Sequence, residues 1–375
     1  MMRLIKKPIH YSTWRNKTVE KVRTKGLAIL SLVTGLVLSA CGDTTEATDN
    51  ASTDSEKTND YSIVMVTDNG GVDDGSFNQA AWEGMVEWGK EHDGIEGEDY
   101  TYIASDGDSE YIPNLNQAIM NDFDIVFGVG FKLKQSMMEI ADDNPDQQFV
   151  IIDDSIEGND NVASVLFKDQ ENAFLAGVAA ALSTETGKIG FVAGQQSEVL
   201  DRFEAGFLMG AYTANPDVEV IVEYVESFSD TSKARQIAAG MYSNGVDIVY
   251  QGAGDAGNGV FSEARDRMNA DPDEKIWVIG SDSDQTEEGE YNEGNLTLTS
   301  SIKGLGQAIK SVANQTMQGD FPGGEITKLG LKEEAIYMTR GQLSEETWAA
   351  MEEYKKQIIN GEIDIPINPD EVTAP

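Results

Sequence analysis

The chain is 375 residues long, with 27 basic against 66 acidic side chains, a net charge of -39, one cysteine and two histidines. That balance excludes a nucleic-acid partner, which needs a basic footprint to displace counterions, and so few thiols and imidazoles exclude an internal disulfide, a thiolate zinc centre or a multi-histidine metal site. An apolar fraction of 40% is enough for a real core, and the length suits two domains or one large one.

In chain order, residues 1–26 carry eight of the basic side chains and a single acid, Glu20. Residues 27–38, LAILSLVTGLVL, are too few to cross a bilayer but suit the apolar region of a signal peptide. Cys41 follows Leu38-Ser39-Ala40. The arrangement resembles a bacterial lipoprotein signal, which implies that residues 1–40 are removed and that Cys41 is lipidated, with chains such as palmitate, and anchors the protein on the outer face of the cell membrane. Residues 42–60 hold no aliphatic side chain larger than alanine and read as a disordered tether. Without the signal segment the remaining body has 19 basic against 65 acidic residues. Charge of that size is a whole-surface property that favours solubility and names no ligand.

From residue 61 the pattern alternates. β-rich runs predict strands at 61–67, 100–105, 124–130, 148–153, 188–194, 218–225, 246–252, 275–282 and 295–301. Helices are predicted at 76–91, 111–121, 132–143, 169–184, 199–214, 231–243, 258–269, 303–318 and 343–359. Alternation at this spacing predicts βαβ units and parallel sheets, arranged as two doubly wound α/β lobes with short crossings, one of them near 164–170. The expected division is 61–166 plus about 283–302 for the N-terminal lobe and 167–282 plus about 303–375 for the C-terminal lobe.

Ligands of open α/β sheets sit beyond the carboxyl ends of the strands. The segments there are rich in carboxylates, amides and glycines, and they carry Phe77, Phe131 and Phe203. Carboxylates beside flat apolar rings suit a neutral ligand with a planar face and several hydroxyls. The same inventory repels a phosphate.

The run VTDNGGVDDGSFNQAAWEG (66–84) resembles the opening signature of the basic membrane protein family, extracytoplasmic nucleoside-binding lipoproteins that serve ABC transporters. FGVGF (127–131), NVASVLFKDQENAFLAGVAAAL (161–182), DRFEAGF (201–207), GSDSDQ (280–285) and LTSSIKG (298–304) look like the same family in the same order, over about 61–340. The resemblance implies a two-lobed, type I periplasmic-binding-protein fold with the ligand between the lobes. It implies a nucleoside ligand, purine ahead of pyrimidine, a permease partner, a monomer, no cofactor and no catalysis. Position by position it places Phe77 and Phe203 on the two faces of the base. Asn78 and an acid after the fourth strand, Asp154 ahead of its neighbour Asp153, would meet the base edge. Asp282 and Lys303 would hold ribose hydroxyls, Gly254 would approach the sugar through its backbone, and Asp68 would orient the site. Phe131 is a further ligand-binding candidate, with a place at the rim as its plain alternative.

Each residue also has a plain structural role open to it. Phe77 and Phe203 would serve as core residues, Asn78 and Asp154 as helix caps, Asp282 as a turn residue beside Asp284, and Lys303 as a solvated helix-start lysine. Trp82 and Trp88 lie six apart, off one helix face, and read as packing. Gly252-Ala253-Gly254-Asp255-Ala256-Gly257 matches the dinucleotide GxGxxG spacing but falls late in the chain and reads as a tight binding loop. DNGGVDDG lacks the alternate oxygens of a calcium loop. His92 stands in a polar turn without the partners of a nucleophilic triad. Alternatives to nucleoside capture are a sugar or other small metabolite on the same scaffold, or an extracellular nucleoside hydrolase.

Overall fold

A computed structural model describes residues 61–374; the signal segment, Cys41 and the tether lie outside the described residues. The chain first runs through β1 (Ile63–Thr67), α1 (Phe77–Glu91), β2 (Tyr100–Ile103), α2 (Tyr111–Met120), β3 (Ile125–Val129), α3 (Lys134–Asp143), β4 (Gln148–Ile152) and β5 (Val162–Phe167). Next come α4 (Asp169–Ser183), β6 (Lys188–Ala193), α5 (Glu198–Ala214), β7 (Glu219–Tyr224), α6 (Thr231–Ser243), β8 (Ile248–Gly252), α7 (Asn258–Ala270) and β9 (Trp277–Asp282). A short hairpin, β10 (Glu290–Tyr291) and β11 (Gly294–Asn295), precedes β12 (Thr297–Lys303), α8 (Leu305–Met317), β13 (Ile326–Leu329), β14 (Ile336–Met338) and α9 (Glu345–Ile359). The nine predicted helices and nine predicted strands are all present, with ends within two residues of expectation.

Two six-stranded sheets result, in the orders β13-β5-β4-β3-β1-β2 and β14-β12-β9-β8-β6-β7. Each lobe repeats the 2-1-3-4-5 winding, with β1 and β6 at the reversal point, where open sheets place their ligands. All pairings within the first sheet are parallel, while β14 closes the edge of the second antiparallel to β12. The central strands β1, β3, β8 and β12 are buried on both faces, which favours continuous apolar runs rather than alternation. In β1, Ile63 and Met65 face a core shared with Met85, Trp88 and Ile309, while Val64 and Val66 face Leu115, Phe123 and Met137 on the other side.

The lobe division differs from expectation. β12 pairs with β9 in the second sheet, and β13 pairs with β5 in the first. Helix α8 packs on α1 in the first lobe, with Gly84 and Gly306 in backbone contact. The N-terminal lobe is therefore 61–167 plus about 305–329, and 283–302 belongs to the other lobe. The physical reason is that β12 completes the parallel series after β9, whereas the β13 edge strand has no local signal: it borrows its partner, β5, from about 160 residues upstream. The segments 168, 304 and 330–335 carry the chain between lobes.

Helices α4 and α5 meet backbone to backbone. A Cβ on Gly210 would strike the carbonyl of Phe174, and one on Gly206 that of Gln170. Neither backbone can yield, so Gly210→Val is expected to destabilise by about 1–3 kcal/mol or more, read as a lower urea midpoint at unchanged slope.

Candidate functional site

The cleft between the lobes holds a cavity of about 60 Å³. It is lined at strand ends by Asp68, Phe131, Asp153, Gly254, Asp282 and Lys303, and at helix starts by Phe77, Asn78, Val199, Leu200 and Phe203.

The first wall is built by the loop after β1. Buried Asp74 accepts from the backbone N–H groups of Ser76 (2.9 Å), Asn78 (2.9 Å) and Gln79 (3.0 Å), and so caps α1. That cap fixes the two residues that face the cleft. Asn78 donates Nδ2 to the carbonyl of Asn69 at 3.0 Å, and its buried Oδ1 has no hydrogen-bond partner among the described residues. The same loop clamps the second lobe. Ser76 Oγ donates to Asp282 Oδ2 (2.8 Å), Gln285 Nε2 to the carbonyl of Gly75 (3.0 Å), Ser283 Oγ to that of Ser76 (3.0 Å) and Asn258 Nδ2 to that of Asp74 (3.1 Å). The lobes are thus closed on each other along this edge.

The floor is charged. Lys303, with a 4% exposed side chain, lies 2.8 Å from Asp153 Oδ2 and 2.9 Å from Asp169 Oδ1. Its Nζ stands 5.4 Å from the ring centres of Phe77, Phe167 and Phe203. Asp153 keeps its second oxygen, Oδ1, buried and without a hydrogen-bond partner among the described residues. Asp153 and Asp282 both hold φ near +70°, at 70° and 68°. L residues rarely adopt that region, and such strain concentrates at functional positions. Burial raises Asp282, an effect that Lys303 and Ser76 oppose. Burial likewise lifts Asp153 to about 6, despite Lys303.

The far wall is aromatic. Phe131 and Phe228 meet edge to face at 6.1 Å, and Phe203 stacks on Tyr250 at 6.1 Å. Gly130 (φ 115°) lets the chain turn tightly past Asp68, whose carboxyl a Cβ there would strike.

Asp68 is driven by burial from 3.8 to about 7, with Lys132 opposing and Asp153 and Asp74 adding to the rise. An acid raised on folding binds more protons in the native than in the unfolded chain, so its contribution to stability falls as pH climbs through that window. Asp68→Asn is therefore expected to melt above the parent at pH 8, with the gap narrowing by pH 5. Equal gaps at the two pH values contradict this.

Of the residues expected from the sequence, Asp68, Phe77, Asn78, Phe131, Phe203, Gly254, Asp282 and Lys303 come together around the cleft. Asp154 does not. It pairs with Lys134 at 2.7 Å on the outer side, and its neighbour Asp153 faces the cleft instead. Successive residues at a strand end point to opposite sides, so the choice between them is one of register. Lys303 is not a solvated helix-start lysine; it is the buried end of β12. Phe228, Val199, Leu200 and Asp74 were missed. Asp74 lies within the DDG run at 73–75, whereas Phe228 lies in the short loop ESFSD between β7 and α6, where nothing local distinguishes it from a turn residue.

Comparison with known proteins gives the family and the fold. Residues 61–369 match the family described as ABC transporter substrate-binding protein PnrA-like. The CD4+ T-cell-stimulating antigen of Listeria innocua is 44% identical, covering 93% of this chain and 100% of its own. The ABC transporter nucleoside-binding protein BmpA of Lactococcus lactis is 41% identical, covering 92% and 99%. A crystal structure of an ABC transporter solute-binding protein from Aeropyrum pernix K1 superposes with a TM-score of 0.74 at 27% identity, covering 83% of this chain and 94% of that one. The chain belongs to the basic membrane protein family of PnrA-like ABC transporter substrate-binding proteins.

Proposed function

We propose that this protein captures nucleosides, purine nucleosides first, outside the cell membrane and delivers them to an ABC importer. One observation carries the reading: two buried acceptor oxygens without hydrogen-bond partners among the described residues, Asn78 Oδ1 and Asp153 Oδ1, belong to residues lining a cleft with four phenylalanines. A nucleobase matches both features, since its face stacks on rings and its edge carries N–H donors. An unpaired buried acceptor costs about 1–3 kcal/mol, which a base edge would relieve. Phe77 takes one face of the base. Phe228, whose ring is half-buried, suits the other face better than Phe203, which is 6% exposed and packed on Tyr250. Asp282 accepts from a ribose hydroxyl, and Lys303 has a third ammonium proton to offer another. Gly254 brings backbone close to the sugar, Asp68 orients the site, and Phe131 covers the rim. A two-ring base offers these aromatics the larger face, which favours purines. Ligand in the cleft bridges the lobes and favours their closed arrangement, which a permease would read.

Calorimetric titration against nucleosides, free bases, ribose and nucleotides tests this. Purine nucleosides are expected to bind and to be recovered intact by chromatography, while ribose alone does not bind. Binding of a free sugar with no nucleoside bound rejects the reading, and recovery of free base identifies a hydrolase. The membrane anchor rests on Cys41. Cys41→Ala is expected to abolish incorporation of radiolabelled fatty acid, and persistent label contradicts it.

A further inference from the structure

The charged floor of the cleft extends beyond the groups a ligand can reach. Asp169, the first residue of α4, forms an ion pair with Lys303, its Oδ1 lying 2.9 Å from Nζ. It receives Arg202 on Oδ2 through Nε at 3.1 Å and Nη2 at 2.9 Å. The side chains of Asp169 and Arg202 are 1% and 14% exposed, and neither lines the cleft. Ligand contact therefore does not account for them. Their placement is specific: Asp169 follows one crossing between the lobes, at 168, and Lys303 precedes another, at 304. Lys303 belongs to the second lobe, yet its Nζ reaches Asp153 of the first at 2.8 Å.

We infer that Asp169 and Arg202 are positioning residues of an interlobe latch, holding the Lys303 ammonium against Asp153 so that one carboxylate both joins the lobes and presents its free oxygen to the ligand. Asp169 and Arg202 lie on the same lobe as Lys303, so they hold it in place whether the lobes are open or closed. Three rings at 5.4 Å leave the ammonium little other room. Alongside the hydrogen bonds of the loop after β1, closure forms one ion pair in this cluster, that of Lys303 with Asp153. Its energy favours the closed state because the open state lacks it. The fork of Arg202 holds Asp169 in one orientation, which a single-point donor does not. The inference rests on nucleoside capture only for the identity of the ligand.

The test uses the full chain with Cys41→Ala, spin-labelled at Ser109→Cys and Ser229→Cys, two exposed positions beyond strand ends of opposite lobes. Pulsed electron resonance reads the distance between labels with and without adenosine, and calorimetry reads affinity. Asp169→Asn is expected to move the ligand-free distribution to longer distances and to weaken adenosine binding at least tenfold. In an Asp153→Asn background it is expected to add no further opening, because the latch is already broken. Arg202→Met is expected to open the protein as Asp169→Asn does, with Arg202→Lys restoring part of the closed population. The arginine pair decides the matter if Asp169→Asn fails to fold. An unchanged distance distribution in folded variants, or full additivity with Asp153→Asn, overturns the latch. Parent protein that binds no nucleoside rejects the ligand assignment instead, and the ligand-free distances still judge the latch.

Discussion

Lys303→Met is expected to cost about 3–5 kcal/mol of folding stability, the usual penalty for removing one partner of a buried ion pair. The ammonium lies 2.8 Å from Asp153 and 2.9 Å from Asp169, and all three side chains are 4% exposed or less. Methionine fills a similar volume, so the loss is electrostatic. Two carboxylates would be left facing each other in a site that water barely reaches. Burial works against the charge on Lys303, but Asp153, Asp169 and Asp282 outweigh it and hold the ammonium above its ordinary value. A base raised on folding contributes its stability in full at neutral pH, and loses it only as pH climbs through the raised value. Urea unfolding at pH 7 measures the effect. Adding Asp153→Asn to Lys303→Met is expected to restore part of the loss, since one of the stranded charges is then removed. A single variant within about 1 kcal/mol of the parent would show that the charges are not confined as described, since surface pairs are worth no more than that.

Phe77→Ala is expected to weaken nucleoside binding by about ten- to a hundredfold, the equivalent of ~1–3 kcal/mol of stacking on one base, with little change in ligand-free stability. The ring is half-buried and lines the cleft at the first turn of α1, whose cap is supplied by Asp74 rather than by the ring. Phe228→Ala is expected to behave in the same way. Phe203→Ala is the contrast. That ring is 6% exposed, stacks on Tyr250 and belongs to the core, so truncation is expected to cost about 3–5 kcal/mol of stability. Calorimetry and urea unfolding on the three variants separate the two classes. Unchanged affinity in Phe77→Ala removes its stacking role.

Much of the fold was legible along the chain. Parallel strands buried on both faces read as continuous apolar runs, and amphipathic helices between them read by their period, so element type survived almost intact. β5 was missed as a strand because VASVLF carries a buried Ser164 and leads straight into the crossing at Lys168. β13 and β14 were missed because they are short edge strands, four and three residues long, whose pairing partners are remote.

By itself, the sequence determined the class of this protein and named most of the polar and aromatic residues that line the cleft. Strand ends must face the ligand, and the residues there were few enough to name. Tertiary structure decided what depends on direction and distance. Asp153 faces the cleft and Asp154 the outside, because neighbouring residues at a strand end diverge. Phe228 joins the site from an unmarked loop, because the closed lobes bring it to 6.1 Å from Phe131. Lys303 became a buried cation shared between lobes, because folding brings together Asp153, Asp169 and Lys303, which the chain separates by up to 150 residues. No pattern along the chain reports such a meeting, since its energy exists only once the charges are withdrawn from water together.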